Sequence, residues 1–448
     1  MQKEKKILSI IILSGILISV FYTCFNLKKY DRNQNVNQHL MIRGDLSLIW
    51  RESHQFKEDL KNSNEIFGLG KEYTRTFLPS KILSLFYLIF DKEFYENFEK
   101  KIVKEGDKFL FLLFQISLFY FALFFFYNRS VKYFKDKRLS LLIVSFLALD
   151  FNIIQWHSTF WTESIYFTLQ IILLCFLMIE RKDFKIFFLI GLLLGILFLQ
   201  KTVAIFLIFF VIIFFLFDED KKIFFKNFVM FLGFLTVIIF LLKDNYQKTG
   251  IIYFMPIQTK SAHYVYVAHK IVKDKEGTIQ TLKNKEEIWK KKNNYDENDF
   301  NSFYKYSNYK QQQAIKYMLN NKIQTIKIYV RNSLSHLILN PLQTYFWHEY
   351  NDKSKINQEF HLSDASKKYF IFKVFYSLFF YSVVIMGVIR VFKNKIKIKF
   401  HLLILLMVLY YTFMLGWVGN SRYFMPSVIL LSFFCGHGVV YLKKLISK

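Results

Sequence analysis

Long apolar runs alternate with short polar links along most of this chain. Ten runs stand out, at about 7–27, 109–127, 139–156, 163–180, 186–200, 202–217, 223–243, 369–391, 400–417 and 424–442. Runs of about 18 residues are long enough to cross a ~30 Å hydrocarbon core as a helix. Backbone polar groups in lipid must pair internally, and these runs lack the strict alternation of barrel strands, so the pattern predicts helices. The expected fold class is an all-α polytopic membrane protein with about ten transmembrane helices. A first outer loop carries juxtamembrane helices, and a second outer loop is large.

The links set the orientation. With the N-terminus inside, the short cytoplasmic connections read "NRSVKYFKDKR", "RKDFK", "DEDKKIFFK", "FKNKIKIK" and "YLKKLISK", and only the "DEDKK" portion is mixed. The short outward links read "WHSTFWTE", "QKT" and "VGNSRYF". Lys and Arg concentrate on cytoplasmic links, which fixes this polarity. Two long segments are then exported, at about 28–108 and 244–368. The chain divides into an N-terminal membrane module (1–243, containing outer loop 28–108), a large outer loop (244–368) and C-terminal membrane helices (369–448). Pro79, Pro256, Pro341 and Pro426 all fall on or beside the outer side, where irregular backbone would be needed to build a site.

Composition refines this picture. The net charge is +27, but much of the excess flanks apolar runs and is accounted for by cytoplasmic anchoring. Membrane lipids are therefore the expected partner of these charges, and nucleic acid is not. The start "MQKEKKILSIIILSGILISVFYTC" has too long an apolar core for a cleaved signal and is read as a first span. Cys24, Cys175 and Cys435 all lie in or beside apolar runs, so neither a disulfide framework nor a thiolate metal site is expected. No Walker loop, GxGxxG, HExxH or GxSxG pattern occurs. The "NRS" at 128 lies on the cytoplasmic side, and the "GLLLG" of Gly191 and Gly195 is expected to pack helices.

Several polar residues sit at the outer ends of apolar runs. Each has a structural reading. Asp45, before "LSLIW", suits a helix N-terminus, where the dipole favours a carboxylate by about 0.3–1 kcal/mol. Thr162 and Glu163 open the fourth span as an N-cap would. Lys201, in a turn of almost no length, suits a snorkelling lysine. His157, alone, reads as an interfacial residue. "PSKILSLFYLIF", near 79–90, is too short to span and is expected to lie in the interface.

Taken in order, the motifs resemble a known class. The first span is followed by an outward loop with an early Asp before "SLIW", then "YTRTFLPSKILSLFYLI", "TES" at the fourth span, Lys201 at an outer turn, and "RYFMPSVILLSFF" at the last span. This constellation is similar to GT-C glycosyltransferases that use polyprenyl-phosphate sugars, a class including protein O-mannosyltransferases and lipid A aminoarabinose transferases. The similarity covers most of the first 245 residues and the last 80. The stretch "QQQAIKYMLNNKIQTIKIYVRNSLSHLILNP" resembles the helical acceptor-side segment before the final spans of that class.

The resemblance implies an inverting hexosyl or pentosyl transfer to an envelope lipid, glycan or protein at the periplasmic face of a bacterial inner (plasma) membrane. An acceptor hydroxyl would displace a phosphate at the anomeric carbon, which calls for a base at the acceptor and cations at the leaving phosphate. Carried over by position, Asp45 is the base or acceptor-orienting carboxylate, with Asp31 and Glu52 as competitors. Relatives carry a paired acid where this chain has Leu46. Some relatives use a divalent metal; without that acidic pair, metal-independent chemistry with no cofactor is favoured. Glu163 and His157 would face the outer cavity. Arg422, Lys201 and Arg75 are the candidate phosphate cations, with Tyr423 beside Arg422. Asp150, late in the third span, could pair with one of them, since intramembrane acids seldom remain unpaired.

Two other function classes remain open on the residues alone. An O-antigen polymerase or ligase would place arginines in the large loop, where Arg331 is the single arginine between 244 and 368. A lipid-linked oligosaccharide flippase or other transporter would show charges deep in several spans and internal repeats.

Overall fold

The computed structural model describes residues 2–31, 53–54, 57, 77–90, 105–160, 162–180, 183–217, 220–255, 257–296, 299–339, 364–414 and 424–447. Every regular element among them is a helix, as expected of an all-α membrane protein. Among the described residues, five helices are long and apolar enough to cross a membrane: α1 (Gln2–Asp31), α3 (Glu105–Phe134), α9 (Ile223–Thr249), α15 (Asp364–Lys393) and α17 (Met425–Ile446). Shorter apolar helices occupy other expected runs: α6 (Glu163–Leu177), α7 (Phe184–Gln200), α8 (Leu207–Leu216, entered by a 3-10 turn at Thr202–Phe206) and α16 (Ile398–Met414). Helix α2 (Phe77–Ile89) is the short apolar segment expected to be too short to span, and it buries Leu83, Phe86 and Tyr87.

The third expected run is not one straight helix. It divides into α4 (Lys137–Leu149) and α5 (Phe151–His157), bent by 50° at Asp150. Asp150 serves both halves: its N–H closes α4 on the Phe146 carbonyl at 3.1 Å, and its carboxylate accepts from the Asn152 N–H at 2.7 Å to start α5. A side chain that bonds to the backbone two residues on offers an alternative to continuing the helix. Asp136, Asp183 and Asp299 cap helices in the same way, through the N–H groups of Leu139, Ile186 and Ser302 respectively.

Glycines let the long helices touch. A Cβ on Gly191 of α7 would stand 1.9 Å from the Met230 carbonyl oxygen of α9, and one on Gly233 of α9 would stand 2.4 Å from the Phe188 oxygen. Gly387 of α15 and Gly438 of α17 meet each other's helices in the same manner. The "GLLLG" packing expectation holds for this reason: backbones approach where no side chain intervenes. At the centre lies α17, buried along most of its length against α4, α6, α15 and α16.

Between α9 and α15 the described residues form a segment of shorter helices. It contains α10 (Ile257–His263), a π turn (Tyr264–Ala268), α11 (His269–Glu276), α12 (Gln280–Lys292), α13 (Phe300–Asn320) and α14 (Lys322–His336). Left-handed Gly250 (φ 67°) ends α9 and Gly277 (φ 69°) ends α11. The small cores here are Tyr264, Ala268, Val272, Leu282 and Ala314, and Val267, Ile271 and Ile328.

Candidate active site

A buried polar cluster occupies one end of the helical bundle. At that end α5 runs into α6, α7 ends, and α17 begins. The Asn26 amide near the end of α1 donates to the Ser158 hydroxyl at 2.8 Å. Gln170 of α6 donates to the Pro426 carbonyl at 3.1 Å. Lys81 of α2 lies 3.7 Å from Asp244 near the end of α9, which brings α2 and the root of the α10–α14 segment to this same end.

Glu163 and Lys201 are its charged pair. Lys201 Nζ lies 3.0 Å from Glu163 Oε1, with side-chain exposures of 8% and 0%. A carboxylate enclosed this fully would cost several kcal/mol without a counter-charge. The chain supplies one from the opposite end of the α6–α7 pair, 38 residues on. The Thr162 hydroxyl donates to the other carboxylate oxygen at 3.4 Å, and the Gln200 amide holds the Thr162 carbonyl at 3.1 Å. The Lys201 ammonium also stands 5.8 Å from the centre of the Tyr166 ring.

Three structural readings of these residues change. Thr162 has a helical backbone (φ −63°, ψ −16°) and makes no side-chain cap bond, so the N-cap box is absent. Glu163 is not at a wet boundary, because α7 and its following turn enclose it. Lys201 does not snorkel outward, since its charge is satisfied inward by Glu163.

His157 joins the cluster through the next residue. Its Nδ1 pairs with Ser164 Oγ at 2.7 Å, its ring packs 4.5 Å from that of Phe119, and the side chain is fully buried. An exposed interfacial histidine is therefore not what forms here. His157 Nε2, Gln115 Oε1 and Gln200 Oε1 are buried with no hydrogen-bond partner. Buried polar atoms are normally paired, and two of these three belong to residues next to the ion pair: Gln200 precedes Lys201, and His157 bonds to Ser164 beside Glu163.

Asp150 is corrected. Its carboxylate accepts from Asn152 Nδ2 at 2.8 Å and from the Tyr376 hydroxyl at 2.9 Å, and it does not pair with Lys201. Neutral donors from its own helix start and from α15 meet its need.

Asp45, Glu52, Arg75, Arg422 and Tyr423 lie outside the described residues, as do Pro256 and Pro341. Asp31 is the last residue of α1. Among the described residues no three His, Cys, Asp or Glu side chains converge, and Asp45, on which a metal reading turns, is not among them.

The geometry adds residues that sequence reasoning passed over. The Tyr166 and Tyr411 hydroxyls pair, and the neighbouring Tyr410 hydroxyl donates to the Val203 carbonyl in the turn after Lys201. These tyrosines clamp the Lys201 turn between α6 and α16. Their only sequence signal is a phenol within an apolar run, and this chain has 28 tyrosines. Gln200 and Gln115 had a better signal, an amide in an otherwise apolar helix.

No family model and no curated protein matches the chain. Among solved structures, it is similar to an oligosaccharyltransferase of Archaeoglobus fulgidus in complex with Zn and sulfate, at 11% identity and TM-score 0.48, covering 96% of this chain and 50% of that one. It is likewise similar to the archaeal oligosaccharyltransferase AglB of that organism in complex with an inhibitory peptide and a dolichol-phosphate, at 12% identity and TM-score 0.48, covering 97% and 51%. The chain spans about half the length of these structures.

Proposed function

We propose that this chain is an integral membrane glycosyltransferase that moves a sugar from a polyprenyl-phosphate carrier to an envelope lipid, glycan or protein, at the outer face of a bacterial inner membrane. Two things support the reading. One is the ordered set of motifs shared with GT-C enzymes. The other, which carries it, is the enclosed Glu163–Lys201 pair among buried polar side chains, at the bundle end from which both long outer segments leave.

In this reading all ten apolar runs span the membrane and the cluster is at their outer ends. Lys201 supplies positive charge toward the leaving phosphate, with Arg422, Arg75 and Tyr423 as further phosphate-binding groups. Glu163 holds the ammonium in place, and preorganised charge of this kind needs no rearrangement as phosphate develops charge. Asp45 is the proposed base for the acceptor hydroxyl. Attack on the anomeric carbon from the face opposite the phosphate breaks the glycosyl–oxygen bond and inverts the centre. His157, beside Ser164, presents Nε2 toward sugar or acceptor hydroxyls.

The test is transfer of radiolabel from polyprenyl-phosphate sugars to cell-envelope fractions by the purified wild type, Asp45→Asn and Lys201→Met. Label transfer by wild type and its loss in both variants supports the reading. Absence of transfer from every such donor overturns it.

A further inference from the structure

Helix α14 has two unlike faces. Ile323, Ile326, Val330 and Leu334 recur at intervals of three and four residues and are exposed, at 73%, 62%, 49% and 59%. Ile315 and Leu319 of α13 extend the same exposed series upstream. The other side holds Ile328, buried against Val267 and Ile271, and Asn332, whose Oδ1 lies 3.5 Å from Lys270 Nζ. Residues at i, i+3, i+7 and i+11 share one helical face. A water-soluble surface would not be expected to carry such a continuous apolar strip.

The position of the helix says what covers the strip. Directly after α14, Leu337 and Leu339 pack into the core of the membrane bundle, and the Leu339 N–H bonds to Ser377 Oγ at 2.9 Å. Ser377 lies eight residues inside the span that starts at Tyr369, about 12 Å along the helix axis. The chain leaving α14 is thus already within the depth of the bilayer, and α14 itself packs against membrane helix α16. Neighbouring α15 exposes Phe375, Leu378 and Phe379 close to that junction, the apolar surface expected toward lipid. Lys322 and Lys327 are exposed on opposite flanks of the strip, where their ammonium groups reach headgroups while the stems stay among acyl chains.

We infer that α14 is an interfacial helix: its Ile323–Leu334 strip is seated in the outer leaflet, and it ties the outer helical segment to the membrane surface. The large segment at 244–368 is then not wholly aqueous, and its small cores are held at a fixed height over the polar cluster. The partner is the phospholipid itself, its acyl chains against the isoleucines and its phosphates against Lys322 and Lys327.

The wild-type full chain tests this without substitution. It is reconstituted in vesicles of phosphatidylethanolamine and phosphatidylglycerol that include a phospholipid with a diazirine on its acyl chain. After irradiation, adducts are mapped by mass spectrometry. The expected result is acyl adducts on 323–334 at a yield like that on Phe375 and Phe379, and none on Lys283–Lys291 of α12. Recovery of 322–336 unmodified, while the α15 residues are labelled, overturns the inference.

Discussion

The Lys201 ammonium meets the Glu163 carboxylate at 3.0 Å, and the carboxylate has no exposed surface. Neither charge suits the helix bundle alone, yet together they join the start of α6 to the end of α7. Removing one partner of a buried pair leaves an uncompensated charge, while replacing both with apolar groups is often nearly neutral. Glu163→Leu alone and Lys201→Met alone are each expected to destabilise by about 3–5 kcal/mol. The double variant should lose less than either single. Thermal unfolding of the four proteins in detergent reads this as a favourable coupling; strictly additive losses would show that the pair does not act as a unit.

Asp150 controls the bend between α4 and α5. Asp150→Ala removes the acceptor for the Asn152 N–H, the Asn152 amide and the Tyr376 hydroxyl together. A loss of about 1–3 kcal/mol is expected, that of leaving buried donors unsatisfied. Tyr376→Phe removes one of these bonds and should cost less. Melting temperatures in the same detergent rank the two.

The α7–α9 contact depends on absent side chains. Gly191→Ala puts a methyl group within 1.9 Å of a backbone oxygen that cannot rotate away, so the helices must separate. The expected cost is about 1–3 kcal/mol, the usual scale for overpacking. Gly250→Ala meets nothing within 4 Å but keeps φ at 67°, and so costs only the left-handed backbone, about 1–2 kcal/mol. Detergent unfolding of both variants separates steric from conformational effects, the mark of the first being a change that Gly191→Ser shares.

The α10–α14 segment carries a pH dependence of its own. Burial alone would raise the Glu286 carboxyl, but the Tyr306 hydroxyl bonded to it and the Lys310 ammonium at 3.5 Å outweigh burial and hold it below the usual carboxylate range. A carboxyl depressed in the folded state adds stability above its unfolded value, and that stability is lost as pH falls through the folded value. Hydrogen exchange in 280–317 should therefore quicken as pH drops below about 4 after correction for intrinsic rates. Glu286→Gln should abolish the dependence, and an unchanged acid profile in that variant would assign it elsewhere.

Much of the architecture was legible because lipid imposes a strong pattern. Apolar runs at 7–27, 109–127, 223–243, 369–391 and 424–442 became long helices, and the described residues of the polar stretch at 244–368 became a series of shorter helices. The bend at Asp150 was not legible, because an acid within an apolar run reads equally as a charge seeking a cation. Only the structure shows Asn152 and Tyr376 meeting it instead. Glu163, His157 and Lys201 were each conspicuous as polar groups at run ends. Their meeting was not, since a single sequence does not say which helix ends adjoin. The tyrosine clamp left no trace, because Tyr166, Tyr410 and Tyr411 suit an apolar run without any partner. Asp45, Arg75, Arg422 and Tyr423 remain proposals from the motif resemblance, lying outside the described residues.

One measurement bears most directly on the central claim, that the Glu163–Lys201 cluster serves transfer from a lipid-phosphate sugar. Purified wild type and Lys201→Met in vesicles are supplied with labelled polyprenyl-phosphate sugar and an envelope acceptor fraction, and the label is followed from lipid to acceptor. Transfer by wild type is expected, and for Lys201→Met, assayed below its own melting transition so that it is folded, a fall of at least about 100-fold, the scale for removing one preorganised charge-stabilising group. Intact carrier crossing the vesicle membrane with its sugar still attached, and no label on any acceptor, would contradict it.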